Sequence, residues 1–131
     1  MNHEELTAEI GSYLRFHIDN GYWVGLSEET RSACVFCGFT DVSARMPGLK
    51  IENIAPGALI IGAIAEQALY LSRNYSDIAV GKVATSEGVE GISTGYTLLN
   101  SADIGFSPRA AVILEQVKRE KRASGVRLVR G

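Results

Sequence analysis

The sequence has 131 residues, 46% of them hydrophobic, and a formal net charge of −2 at pH 7, which together predict one ordinary globular domain. The polar, acidic first residues argue against a secretory leader, and two cysteines do not make a disulfide framework, so we expect a protein of a reducing, cytosolic compartment. The apolar run at 54–65 has twelve residues, below the ~20 that a membrane-spanning helix needs.

The charge is unevenly distributed along the chain. Residues 118–131 contain six cations against one anion, whereas residues 1–117 contain seven cations against fourteen anions. A basic tail on an acidic body is typical of a chain that binds an anionic partner, or an acidic face on another copy of itself. A tail that is simply solvated is the alternative.

The first predicted helix covers residues 4–20. Apolar residues recur there at three- and four-residue steps, and glutamates lie near its start, where the helix dipole favours them. Asn20 and Gly21 predict its end, with the glycine as a left-handed cap. Residues 22–24 then predict a short apolar connector, in which Trp23 fills an edge of the core.

The second predicted helix follows Ser27, which is a good N-cap residue. Two glutamates come directly after it, at the positive end of the helix dipole. The helix is predicted to end at Met46, before a proline and a glycine. We expect its core-facing stripe to consist of Ala33, Phe36, Cys37 and Ala44.

The third predicted helix, residues 56–75, is the centre of the fold. Pro56 suits the first helical position, and apolar residues then cover most of the circumference. Such a helix lies in a protein core or in a membrane. The polar pair Glu66 and Gln67 favours the core.

Two glycines in this segment, Gly57 and Gly62, are unfavourable inside a helix. Each lowers helix stability by roughly 1 kcal/mol relative to alanine. We therefore expect a neighbouring backbone to pack closely against this end of the third helix.

Residues 76–106 change character. Gly, Ser and Thr become frequent, and apolar and small residues alternate with period two around Ile92 and Tyr96. This pattern predicts a β-hairpin or a long extended arm. A glycine-rich ribbon of this kind is marginal alone, so we expect it to pack against helices or another chain.

A fourth helix is predicted over residues 107–123, because a serine N-cap, Ser107, precedes a proline at the first helical position, Pro108. Residues 124–125, a Ser-Gly pair, predict its end. The last residues, to 131, mix apolar with basic side chains, and we expect a frayed or extended C-terminal tail. The predicted fold class is therefore mainly α, a small four-helix bundle with an inserted arm and an extended tail.

Cys34 and Cys37 form a C-x-x-C pair, the spacing of redox centres and of half a zinc site. A redox pair lies at a helix N-terminus, whereas this pair lies two turns into a predicted helix. A zinc ion needs two more ligands, and the sequence offers only His3 and His17 as histidines. We interpret the cysteines as two buried, reduced thiols, and we expect no metal.

The sequence indicates no active site. We interpret His17 as a histidine on the flank of a helix, because no nucleophile is placed to partner it as a general base. Asp41 and Glu66 lie on predicted helices, and a single buried carboxylate is more often part of hydrogen-bonded structure than of catalysis. The glycines form no phosphate-binding loop. We therefore predict a protein that is not an enzyme and has no cofactor.

Three segments together resemble the small connector, or adaptor, proteins that join the portal ring of tailed bacteriophages to the tail. They are AIAEQALYLSRN at 63–74, TSEGVEGISTGYT at 85–97, and SPRAAVILEQVKR at 107–119 followed by a short basic tail. The similarity covers the chain from about Leu26 onward. It implies a helical bundle with an extended loop between its last two long helices, and a ring of commonly about twelve copies.

The resemblance also implies partners. In the family the C-terminal tail reaches into or along the portal, which assigns that contact to Val126, Arg127, Leu128, Val129 and Arg130. The family's loop contacts neighbouring copies or the next tail component, which assigns inter-subunit or tail-facing roles to Glu87, Val89, Glu90, Ile92 and Tyr96. The expected place is the virion neck, near packaged DNA and without a membrane, after assembly in the host cytoplasm.

The competing interpretation is a small cytosolic regulator that binds nucleic acid through its basic C-terminus. No aromatic residue follows Phe106, so the tail lacks the rings on which single-stranded bases stack. An adaptor and a head-completion or other neck protein remain equally consistent with the sequence.

Overall fold

The structure, a computed structural model, describes residues 1–79 and 105–130, and side chains within 1–75 and 105–122. The described chain is mainly helical, as predicted, and contains no strand in these ranges. Its α-helices are α1 (His3–Leu14), α2 (Asn20–Val24), α3 (Glu28–Arg45), α4 (Leu59–Ala79) and α5 (Pro108–Arg130), with a 3-10 turn at Ile51–Asn53. None of the helices searched in these ranges has the length and hydropathy to cross a bilayer.

The predicted hairpin or arm falls mostly outside the described residues. Residues 80–104 are not described, whereas 76–79 form the last turn of α4. The arm was therefore predicted to begin too early.

Helix α4 is the central element, as predicted. It contacts α1, α3 and α5, and its middle contains the fully buried residues Ala63, Ile64, Ala65 and Ala68. The predicted start was wrong, because the chain turns at Pro56 and the helix begins only at Leu59. Gly57 has φ +76°, a left-handed conformation that a glycine adopts without strain and that a right-handed helix excludes.

Among the glycines with described surroundings, Gly38 of α3 meets the backbone of another helix, whereas Gly57 and Gly62, which were predicted to do so, do not. A Cβ on Gly38 would lie 3.0 Å from the backbone nitrogen of Ala68 and 3.1 Å from the carbonyl oxygen of Ile64. At Gly62 the neighbour is instead the ring of Tyr13, 3.0 Å from such a Cβ. Gly38 thus lets the backbones of α3 and α4 pack directly together.

Helix α1 is shorter than predicted. It begins with a capping box between Asn2 and Glu5 and ends at Leu14, after which a turn leads to the separate helix α2. Gly21 lies inside α2 and does not form the predicted left-handed cap. Trp23 is buried, with 3% of its surface exposed, as predicted, but it belongs to a helix where a connector was predicted.

Helix α3 begins as predicted, because the side chain of Ser27 accepts a hydrogen bond from the backbone N–H of Thr30 over 3.1 Å. Its predicted core face was wrong. The buried residues are Val35, Gly38 and Val42, whereas the four residues predicted to face the core, Ala33, Phe36, Cys37 and Ala44, are exposed. Nearly every position from 33 to 39 is apolar, so hydropathy alone does not determine which face of α3 packs against the core. The small volume of Gly38 determines it, because it allows the backbone of α4 to approach that face.

Helix α5 starts as predicted, with the Ser107 hydroxyl accepting from the backbone N–H of Ala110 over 3.2 Å and with Pro108 at the first helical position. Ala110 and Leu114 are buried against α4. The predicted break at 124–125 was wrong, because the helix continues to Arg130. One Ser and one Gly weaken a helix by about 1 kcal/mol each or less, which does not force it to end, so residues 124–130 are helical where an extended tail was predicted.

Candidate functional site

A buried carboxylate in the middle of α4, that of Glu66, holds together three other parts of the chain. Its Oε2 accepts a hydrogen bond from Tyr13 Oη of α1 over 2.9 Å and lies 3.1 Å from His17 Nε2 on the loop before α2. Arg109 Nε of α5 lies 3.3 Å from the same oxygen. Only 3% of Glu66 is exposed, and a carboxylate so buried needs partners of this kind.

The hydrogen bonds of His17 define its protonation. The backbone N–H of Asp19 donates to His17 Nδ1 over 3.0 Å, so this ring nitrogen is an acceptor and carries no proton. The proton of the neutral ring therefore lies on Nε2, which donates it to Glu66. Both nitrogens are engaged in hydrogen bonds, so His17 connects the loop before α2 to α4, and it does not lie on the flank of a helix as predicted.

Tyr13 and Arg109 complete this polar centre. Burial raises the pKa of the Tyr13 hydroxyl, and the hydrogen bond and negative charge of Glu66 raise it further, against the opposing charge of Arg109. The hydrogen bond to Glu66 and its charge likewise raise the pKa of the Arg109 guanidinium. Tyr13 is thus a neutral donor and Arg109 a cation at neutral pH, and the centre is electrostatically matched.

Beside this centre lies an open cleft of about 630 Å³ between the α1–α2 loop, α4 and the start of α5. Two apolar residues of the loop form its rim, Phe16 with 89% and Ile18 with 95% of the surface exposed. Arg73 braces the loop, because it pairs with Asp19 Oδ1 over 2.9 Å and its guanidinium stacks on the ring of Tyr22 at 4.0 Å.

Within the described residues, every polar side-chain atom that is buried has a hydrogen-bond partner. In the cleft, Tyr13, His17 and Arg109 all direct a donor at Glu66. Such a set of hydrogen bonds and charges stabilises the arrangement of α1, α4, α5 and the loop before α2.

A second buried network fixes the start of α5. Gln67 Nε2 donates to Asp41 Oδ2 over 2.8 Å and to the carbonyl oxygen of Gly105 over 2.7 Å. Gln67 Oε1 accepts from the backbone N–H of Ser107 over 2.7 Å. The side-chain amide of Gln67 thereby connects α3 and α4 to the segment that leads into α5.

The C-x-x-C pair is not a disulfide, and only one of its thiols is sheltered. Cys34 is half-buried and Cys37 is exposed, so the prediction of two buried thiols was wrong for Cys37. Burial, followed by the neighbouring Cys37, raises the pKa of Cys34. In the described chain, no group of three or more His, Cys, Asp or Glu side chains is arranged to hold a metal ion.

The structure describes only part of the two segments that were predicted to bind partners. Residues 126–130 form the last turns of α5, in a part of the helix whose side chains are not described. The five arm residues predicted between Glu87 and Tyr96 lie outside the described residues. Neither predicted surface is therefore among the side chains that the structure describes.

His17 and Glu66 were singled out from the sequence, but Tyr13 and Arg109 were not, and the four residues were not predicted to meet. Glu66 and Gln67 stand out as a polar pair in an apolar helix, which is a signal of buried polar contacts. Their partners are 26 to 53 positions away in the chain, so no local pattern reveals them.

Comparison of the chain with protein-family models, with curated proteins and with solved structures finds no match.

Proposed function

We propose that this protein is a structural subunit of the head-to-tail joint of a tailed bacteriophage, where it forms a ring that connects the portal to the tail. The observation that carries the proposal is the almost complete exposure of Phe16 and Ile18 at the rim of the cleft. Two large apolar side chains that are only two positions apart in the chain and are both left in solvent are typical of a surface that another protein covers.

The polar centre supports this proposal, because it holds the rim in place. His17 lies between Phe16 and Ile18 in the chain, and its ring bonds to Glu66 on one side and to the Asp19 backbone on the other. Arg73 braces the next residue, Asp19. A rim fixed before binding loses less conformational entropy when a partner covers it.

The sequence resemblance supplies the finer part of the proposal. In it, α3, α4 and α5 belong to the small helical bundle, and the hairpin or arm predicted over 76–106 connects the last two of them. Arm residues contact neighbouring copies or the next tail component, and residues 126–130 contact the portal as the last turns of α5. The ring then has about twelve copies, lies in the virion neck, and makes no membrane contact.

The mass of the full chain, measured with and without the portal protein of the same phage, tests the proposal. We expect a ring-sized complex with the portal. Phe16→Ser with Ile18→Ser should abolish it, and so should removal of 126–131. The matched control is Val112→Ser, which replaces a residue that is 67% exposed on α5, and it should leave the complex intact.

The alternative, a regulator that binds nucleic acid, gives a different result in the same measurements. Arg119, Lys121 and Arg122 are exposed on α5, and such cations would bind phosphates with an affinity that falls steeply as salt rises. A monomer that ignores the portal and is retained on DNA only at low salt would refute the connector proposal.

A further inference from the structure

Helix α3 has a second apolar face, which is turned away from the core. This outer face of α3 consists of Ala33, Phe36, Cys37 and Ala44, all exposed, and Phe36 leaves 62% of its surface in solvent. The four residues recur at helical spacing and so form one stripe. An amphipathic pattern on the solvent side of a helix indicates a second packing partner.

The outer face of α3 is acidic at the N-terminal end of the helix. Glu28 and Glu29, in the first turn of α3, are exposed. Together with His3, Ser32, Phe36 and Cys37 they line a shallow groove of about 610 Å³. The groove therefore combines two negative charges with one exposed aromatic ring.

A basic surface of complementary character lies at the other end of α3. This basic corner consists of Lys118, Lys121 and Arg122 of α5 together with Met46 and Pro47, which line a groove of about 360 Å³. Lys121 and Arg122 lie three and four residues after Lys118, so both are neighbours of Lys118 on one side of the helix.

The two surfaces cannot meet within one molecule. They lie at opposite ends of α3, which has 18 residues and is roughly 27 Å long at 1.5 Å per residue. A contact between two different surfaces of identical chains is heterologous, and it can be repeated from copy to copy until a ring closes.

We infer that the acidic end of the outer face of α3 binds the basic corner of a second copy of this chain. In this contact Glu28 and Glu29 face Lys118, Lys121 and Arg122, and a cation of the second copy stacks on Phe36. The inference rests on the proposed function, since it names the surfaces through which the ring subunits associate.

Charge reversal tests the contact. Glu28→Lys with Glu29→Lys, or Lys118→Glu with Lys121→Glu, should weaken self-association by about tenfold or more, because like charges then face each other. A mixture of the two variants should recover association, since each supplies the surface that matches the other. Thermal unfolding confirms that each variant is folded, and a mixture that stays as weak as its components overturns the inference.

Chemical cross-linking gives an independent test, because Cys37 lies in the acidic groove and is exposed. In a Cys34→Ser background, Lys121→Cys should be linked by a short bismaleimide to Cys37 of the next copy, giving dimers, trimers and larger chains. Arg15→Cys, at an exposed position on the α1–α2 loop, is the matched control. Cross-linking of Lys121→Cys that does not exceed this control, or links between two Cys37 residues, would overturn the inference.

The two proposals fail in different ways. A complex with the portal in which Cys37 and position 121 do not cross-link leaves the connector function standing and refutes these surfaces. Efficient cross-linking without any portal binding supports the surfaces and refutes the connector function.

Discussion

Gln67 of α4 donates its side-chain N–H to the carboxylate of Asp41 of α3 over 2.8 Å. The same amide nitrogen donates to the carbonyl oxygen of Gly105, and the amide oxygen accepts from Ser107. Gln67 is fully buried and has no access to water, so these hydrogen bonds satisfy its polar atoms in place of water. The side chain therefore determines how three segments meet.

Replacing Gln67 by glutamate should destabilise the protein at pH 7. The carboxylate has no N–H for Asp41 or Gly105 and places a second negative charge beside Asp41, so we expect a loss of about 3 kcal/mol or more. Asp41→Asn in the same chain should restore part of the loss, because its amide donates to the new carboxylate. Urea unfolding followed by circular dichroism measures both, and equal stability of the single and double variants would contradict the assignment.

Gly38→Ala should be strongly unfavourable and Gly11→Ala should not. A methyl group at Gly38 meets the backbone of α4 at 3.0 Å, so the helices must move apart at a cost of about 1–3 kcal/mol. Gly11 lies within α1 with no atom within 4 Å of the added group, and alanine there should add up to about 1 kcal/mol through helix propensity. In thermal unfolding, the midpoint temperature should be lower than that of the wild type for Gly38→Ala and higher for Gly11→Ala.

Glu66→Gln should loosen the polar centre. Tyr13, His17 and Arg109 all direct donors at this carboxylate, and a neutral amide oxygen is a weaker acceptor and cannot form the ion pair with Arg109. We expect a loss of about 2 kcal/mol in the free energy of unfolding. Glu115→Gln, at an exposed position on α5, is the matched control and should change stability by less than about 0.5 kcal/mol.

The stability of the protein should fall in alkaline solution through Tyr13. Burial and Glu66 raise the pKa of its hydroxyl above 10.0, so the folded state holds this proton more tightly than the unfolded state. The contribution of the protonated Tyr13 hydroxyl to the free energy of unfolding is complete below about pH 10, and it is lost as the pH rises towards the folded-state pKa. The difference in unfolding free energy between the wild type and Tyr13→Phe, measured from about pH 9 to pH 11, should reveal it, because the other titrating groups are common to both. A pH-independent difference would contradict the prediction.

The two cysteines should differ in reactivity. Cys37 is exposed, whereas Cys34 is half-buried and has a raised pKa, which lowers the fraction of the reactive thiolate. Iodoacetamide at pH 8 should therefore modify Cys37 first, as mass spectrometry of the digested protein will show. In urea the two should react at similar rates, and a preference that persists there would point to sequence context instead of burial.

Two helix starts that depend on adjacent residues were predicted correctly from the sequence, whereas the contacts between helices were not predicted. Ser27 and the pair Ser107-Pro108 predicted two helix starts because capping depends on adjacent residues alone. The face of α3 was wrong because its packing is decided by Gly38, which hydropathy does not register. The polar centre around Glu66 joins residues about 50 positions apart, and a single sequence contains no measure of that proximity.

The anchoring of Gly105 and Ser107 by Gln67 has a consequence for how such a protein can change over evolutionary time. Gln67 bonds to Asp41, Gly105 and Ser107, so α5 is held against α3 and α4 by contacts that lie outside residues 80–104. Doubling the number of residues between two fixed points costs only about 0.6 kcal/mol in loop closure. Insertions or deletions within 80–104 should therefore leave the contacts between the described helices intact.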